Sequence, residues 1–172
     1  MTDDNPMRKI IIEKVSVNIG TGDPGEVLDN AKGLLERLCE GKTAVITKAR
    51  RREPAFKLRK DLPIGVMVTL RGKEAETFLE KALAAKRKVI KERNFDNEGN
   101  LSFGVAEYID FPGAKYDPGI GMYGFDVCVT LKRPGRRVTQ RRRRKAKIGK
   151  KHRISKEEAV EFVKSKFGVK IE

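Results

Sequence analysis

The chain predicts an α+β fold: an antiparallel or mixed β-sheet with helices packed on one face and the other face open. Three observations lead to it. Several segments alternate apolar and polar residues with the period of a half-buried strand. Others carry apolar residues at helical spacing behind recognisable helix starts. The order of the two kinds, β-α-β-β-α-β-β-α, favours helices collected on one side of a sheet over the strict alternation of a parallel fold.

Residues 8–19 form the first strand, with Ile11, Val15, Val17 and Ile19 on one side and Lys14, Ser16 and Asn18 on the other. Such a strand suits a sheet with one covered and one solvated face. In Asp23-Pro-Gly-Glu26 the aspartate reads as a helix cap, Pro24 as the first helical residue and Glu26 as the partner of a capping box. Leu28, Ala31, Leu35 and Leu38 follow at helical spacing, and Gly41 supplies a stop. Strands are predicted over 43–49 and 64–71, the latter with Ile64, Val66, Val68 and Leu70 opposite Thr69 and Arg71. A helix over 73–91 carries the stripe Ala75, Phe78, Leu79, Ala82 and Leu83. Two more strands, about 102–109 and 124–132, flank Phe111–Gly124, a connection with two prolines and four glycines. Ser155-Lys-Glu-Glu158 spells a second capping box, opening a helix that buries Ala159, Val160, Phe162, Val163 and Phe167 and stops at Gly168.

The 172 residues suit one domain, 1–172, with two basic extensions. One is a projecting loop over 48–60, broken by Pro54. The other is an insertion over 132–153. Between Lys132 and Arg153 stand thirteen Lys or Arg residues and no acid. No compact core could bury that charge, and the whole chain leans the same way, with 39 basic against 24 acidic residues and a net charge of +15. A pI near 10 is the footprint of a polyanion binder, because each neutralised phosphate releases condensed counterions. Cys39 and Cys128 each sit in an apolar block and read as buried thiols of a reducing compartment. Two cysteines without CxxC spacing and one histidine make no zinc site. The first residues lack a secretion signal, and no apolar stretch approaches the ~18 residues of a membrane span. A cytoplasmic protein is expected, with no membrane partner.

Motifs for catalysis do not assemble. Gly20-Thr-Gly-Asp-Pro-Gly25 spells GxGxxG between a strand and a helix. The strand is half polar, Asp23 points a carboxylate where a pyrophosphate would sit, and no acid follows about 20 residues on. A glycine turn into a helix is the better reading, so no cofactor and no small-molecule substrate are expected. Gly119–Gly124 repeats the spacing but leads into a strand. Residues 103–108 echo an RNA-stacking motif without its basic residue or central aromatic. His152 has no nucleophile or acid beside it and reads as a phosphate contact or a bystander.

What remains is a binding surface. If the first and third strands are neighbours, Lys14, Ser16, Asn18, Thr69 and Arg71 share the open face, which is then available to RNA. Hydroxyls, an amide and cations on a rigid sheet suit 2′-hydroxyl and phosphate contacts. Only 6% of residues are aromatic, too few to read single strands by stacking alone, and no DNA-binding motif is present.

Five stretches strongly resemble the ribosomal large-subunit protein L-five family, which binds 5S rRNA: 14–22 (KVSVNIGTG), 46–50 (ITKAR), 56–59 (FKLR), 63–72 (PIGVMVTLRG) and 99–112 (GNLSFGVAEYIDFP). They occur in family order within about residues 8–132. The basic insertion and the helix over 155–167 resemble the archaeal branch, whose members lack the N-terminal helical extension of bacterial ones. The resemblance implies a non-enzymatic component of the central protuberance that attaches 5S rRNA to the large rRNA. It implies that the open face, with Asn18, Thr47, Lys48, Thr69 and Arg71, meets 5S rRNA. Residues 50–57, with Arg50, Arg51, Arg52, Phe56 and Lys57, match the family loop that reaches P-site tRNA. The distal part would touch small-subunit protein S-thirteen. Where bacterial members have a small glycine-containing loop, this chain has Arg51-Arg-Glu-Pro54. The basic insertion has no bacterial counterpart, and electrostatics alone assign Arg136, Arg137, Arg141, Arg142, Arg143, Arg144, Lys145 and Lys147 to rRNA. A free RNA chaperone or RRM-like module, and more distantly a nucleotide-dependent oxidoreductase using Gly20–Gly25, are the competing readings.

Overall fold

The structure, a computed structural model, describes residues 5–22 and 24–172. In chain order its elements are β1 (Ile11–Gly20), α1 (Glu26–Leu38), β2 (Val45–Lys48), β3 (Pro63–Leu70), α2 (Lys73–Ala85), β4 (Val89–Ile90), β5 (Leu101–Val105), β6 (Phe125–Lys132), α3 (Arg137–Gln140), α4 (Lys156–Phe167) and β7 (Lys170–Ile171). Five strands form an antiparallel sheet in the order β2-β3-β1-β6-β5, and β4 pairs with β7 in a small parallel ladder.

The period-two pattern sets the register. Val15 lies opposite Leu70 and Val129, Val17 opposite Val68 and Val127, and Ile19 opposite Val66. All are buried on the face that carries the helices. Leu28, Ala31, Leu34, Leu35 and Leu38 of α1 cover it, as do the predicted stripe of α2 and Ala159, Val163 and Phe167 of α4. Phe78, Phe111 and Phe125 stack at centroid distances of 5.0–6.4 Å and tie α2 to β6. Each such side chain contributes about 1.5–3 kcal/mol by burial. Solvated ion pairs such as Arg37–Asp117 and Lys42–Glu74 contribute roughly 0–1 kcal/mol each. Burial, not surface pairing, holds the layers together.

Several boundaries differ from expectation. Helix α1 begins at Glu26 behind Gly25 (φ 114°), which makes no side-chain cap, so Pro24 is not its first residue. The Asp23 expected as its cap lies outside the described residues. Helix α2 ends at Ala85, because Arg87 and Lys88 take left-handed conformations (φ 56° each), and Val89–Ile90 then pair with the C-terminal strand. The strand expected to 109 stops at Val105, and Tyr108–Asp110 form a 3-10 turn. Ile11 is exposed rather than on the core face, since the β1–β6 register shifts between Ile12 and Lys14 and the bulge exchanges the faces before it. Val160 and Phe162 are half-buried. The capping box at Ser155 and Glu158 forms as expected, and Gly168 ends α4 at φ 62°.

The basic stretch after β6 is built into the fold instead of trailing from it. Arg133 is buried, and its guanidinium donates to the carbonyls of Lys151 and Arg153 and, at 2.8 Å, to the Glu158 carboxylate. The His152 ring donates Nε2–H to the Pro134 carbonyl at 2.9 Å, and the Ala146 amide returns to Val138. Glu158 is partly exposed and can be solvated, but removing the buried guanidinium deprives the Lys151 and Arg153 carbonyls of their donor. Arg133→Met is therefore expected to lower stability by about 1–3 kcal/mol in urea unfolding and to accelerate protease cleavage within 134–153.

Candidate nucleic-acid interface

The face of the sheet away from the helices is built in cross-strand rows. Ser16 of β1 stands opposite Thr69 of β3 and Cys128 of β6, and Cys128 opposite Ser102 of β5. One row along, Asn18 lies between Met67 and Asp126, with Val45 beyond Met67 and Gly104 beyond Asp126. Lys14 pairs with Thr130. The predicted adjacency of the first and third strands is thus present, and Lys14, Ser16, Asn18 and Thr69 share this surface. Thr47 faces Gly65, where a β-carbon would stand 2.8 Å from the Ile19 carbonyl and 3.0 Å from Thr47 Oγ1. Only glycine keeps that row flat. Lys48 and Arg71 are exposed near the ends of β2 and β3.

The loop between β2 and β3 continues their pairing. Ala49 and Leu62 are hydrogen-bonded at its base, and Glu53 and Leu58 exchange two bonds near its tip. Arg50, Arg51, Arg52 and Lys57 are exposed, as is Phe56, 75% accessible on the turn Pro54–Phe56. An aromatic ring so accessible among four cations is a surface for stacking on a base beside phosphates.

In the third group, Arg137, Arg142, Arg143, Arg144, Lys145 and Lys147 are exposed, and Arg141 donates Nε–H to the Arg144 carbonyl. Arg136 differs from its neighbours. It is half-buried, donating to the Leu131 carbonyl, with Nε 3.7 Å from Glu13, the acid displaced at the β1 bulge. His152, read as a phosphate contact or bystander, instead anchors Pro134. A cleft of about 210 Å³ lies beneath, lined by Arg136, Lys147, His152, Arg153 and Glu98.

Sequence reasoning missed Val45, Met67, Ser102, Asp126, Cys128 and Thr130 on the open face. For the three on β6, the alternation of Phe125, Val127, Val129 and Leu131 carried the signal, because the residues between them must face the other way. Cys128 is the plainest correction: it is exposed, not buried. Partial burial and then the Asp126 carboxylate raise its thiol pKa. Cys39 is buried as expected, and desolvation, with Glu40 second, pushes its thiol up to about 12. Gly22 (φ 78°) and Gly25 account for GxGxxG as a turn: the amides of Thr21 and Gly22 both bond the Ile64 carbonyl. Among the described residues no His, Cys, Asp and Glu cluster could hold a metal, and no helix is long and apolar enough to cross a membrane.

Comparison with known proteins decides the family. Residues 5–59 match the family described as Ribosomal protein L5, and residues 63–162 match the C-terminus of the same ribosomal family. The chain belongs to the ribosomal protein L5 family. It is 56% identical to the large ribosomal subunit protein uL5 of Sulfurisphaera tokodaii, over 97% of this chain and 94% of that protein. The uL5 proteins of Methanococcus vannielii (49% identity, 96% of this chain and 93% of that one) and Sulfolobus acidocaldarius (48%, 98% and 94%) are similar along nearly their whole lengths. These relatives are archaeal, as the sequence resemblance implied. Family membership makes the chain a structural, non-enzymatic constituent of the large ribosomal subunit, and its cytoplasmic location follows.

The two thiols report on the two faces. At pH 7.5 a maleimide is expected to label Cys128 more slowly than a free thiol, with the rate rising toward alkaline pH, and to reach Cys39 only after unfolding. The sign for stability follows from Cys39. Its contribution is complete below the unfolded value of about 9 and is lost as pH rises from there toward about 12. Cys39→Ala should flatten that alkaline decline in denaturant midpoints.

Proposed function

We propose that this L5-family member binds 5S rRNA on its open sheet face and attaches it to the large rRNA of the central protuberance. The observation that carries this reading is the register of β1: it sets Lys14, Ser16, Asn18 and Thr69 side by side on a rigid, uncovered surface. Short hydroxyl and amide side chains on a flat sheet suit the wide minor groove of an RNA helix, where 2′-hydroxyls and base edges are accessible. Thr47, Lys48 and Arg71 extend the surface toward its β2–β3 edge. The exposed cations of the 132–153 stretch add a charge-driven grip on the large rRNA, with Arg137, Arg142, Arg143, Arg144, Lys145 and Lys147 the free contributors. Arg141, exposed with its Nε on the Arg144 carbonyl, keeps the rest of its guanidinium for rRNA, while half-buried Arg136 also holds that stretch in shape. The loop over 48–60, with Arg50, Arg51, Arg52, Phe56 and Lys57, contacts P-site tRNA. The distal part of the chain meets small-subunit protein S-thirteen at an intersubunit bridge.

The test is binding of the purified protein to 5S rRNA across a salt series, beside an unrelated RNA of equal length. A scaffold preference for 5S rRNA, with affinity falling by orders of magnitude from low to moderate salt, is expected. Equal binding to both RNAs would favour a general chaperone. Asn18→Ala with Thr69→Ala should weaken 5S binding roughly tenfold or more without altering the melting temperature. Replacing Arg50, Arg51 and Arg52 by Gln should leave 5S affinity nearly intact and disturb tRNA positioning in assembled ribosomes. Strong loss of 5S affinity there would move the loop into the 5S interface.

A further inference from the structure

On the open face one acid, Asp126, stands without a counter-charge among the described residues. Glu13, near its edge, is held by Lys132 and Arg136, but among the described residues Asp126 has neither an ion pair nor a hydrogen bond. It is exposed near the start of β6, at one end of the sheet, directly opposite Asn18. In a chain of net charge +15, a bare carboxylate on a surface that meets phosphates works against binding unless it makes a contact of its own.

The surroundings leave room for that contact. Asp126 and Asn18 border a depression of about 480 Å³ whose floor is made by Gly20, Gly104 and Gly124, with Lys86 at the rim. A β-carbon on Gly104 would stand 3.1 Å from Asp126 Oδ1, and one on Gly124 would stand 2.7 Å from the Ala106 carbonyl. The absent side chain of Gly104 leaves room directly beside the carboxylate. Lys86 is turned to the Gly104 carbonyl at 3.1 Å, so it lies beside the depression without closing it.

We propose that Asp126 and Asn18 together read the Watson–Crick edge of one unpaired guanine in the bound RNA. This rests on the open face being the RNA-binding face. Guanine alone among the four bases places two adjacent donors, N1–H and the N2 amino group, beside an acceptor, O6. The two oxygens of Asp126 accept from both donors, and the Asn18 amide nitrogen, one strand away, donates to O6. Adenine and cytosine each present a lone-pair nitrogen where the carboxylate needs a hydrogen, and uracil offers one donor between two acceptors. Met67 and Val45, in the same row, supply an apolar surface against which the nucleotide packs.

The experiment turns on a sign. Asp126→Asn removes a negative charge and keeps the shape, so electrostatics alone would tighten binding to every RNA. The guanine contact requires the opposite for 5S rRNA: a loss of about tenfold to a hundredfold, with unchanged or tighter binding to the unrelated RNA of equal length. Guanosine-to-inosine replacement at single unpaired positions, which deletes the N2 amino group, should weaken the wild-type complex at one position and leave the Asp126→Asn complex unaffected there. The idea is overturned if Asp126→Asn holds 5S rRNA as tightly as wild type or tighter, or if no inosine position weakens the wild-type complex. The inosine arm with wild-type protein reads the contact even if the variant is unstable. Loss of 5S preference by wild type itself would instead strike the RNA-binding reading and this contact with it.

Discussion

The register of β1 between β3 and β6 is the constraint on which the molecule depends. Its side chains alternate strictly from Lys14 onward, so one pairing sends Val15, Val17 and Ile19 into the core and Ser16 and Asn18 to the surface. A slip of one residue would bury the polar row and expose the apolar one. Core energetics and surface chemistry are therefore two results of one pairing. The helices add to this by covering a single face, toward which the buried apolar rows of the sheet point.

Excess positive charge is the second constraint, and the fold handles it by placing a few acids where they matter most. Glu13 sits at a bulge where it meets Lys132 and Arg136, and Glu158 meets buried Arg133. These contacts fold the basic stretch against the body while leaving the arginines over 142–144 exposed. The same logic explains why cations of similar sequence context differ in role. Arg133 and Arg136 lie close to the end of β6 and are absorbed by structure, whereas Arg142, Arg143 and Arg144, farther along the excursion, face solvent.

Much of this is legible from residue patterns because the signals are local. Alternation marks β1, β3 and β6, spacing marks the apolar faces of α1 and α2, and Ser155 with Glu158 announces α4. The missed features depend on contacts distant in sequence. Nothing near Ala85 foretells that Val89 and Ile90 will leave the helix to pair with Lys170 and Ile171. A bulge at Glu13 has no local mark, so alternation alone puts Ile11 on the wrong face. Cys128 reads as buried because its neighbours are apolar, yet those neighbours define the opposite side. Asp126 escapes notice for the same reason: the polar side of β6 is legible only once its apolar side is assigned to the core.

The capping carboxylate of α4 has a wider effect than its position suggests. One oxygen of Glu158 holds the Ser155 amide and the other holds Arg133. Helix nucleation and closure of the cationic excursion, whose anchor Arg133 lies 25 residues upstream, thus share a single side chain. The two regions are thermodynamically linked: fraying of the helix start loosens the excursion, and a polyanion that clamps the excursion stiffens the helix in return.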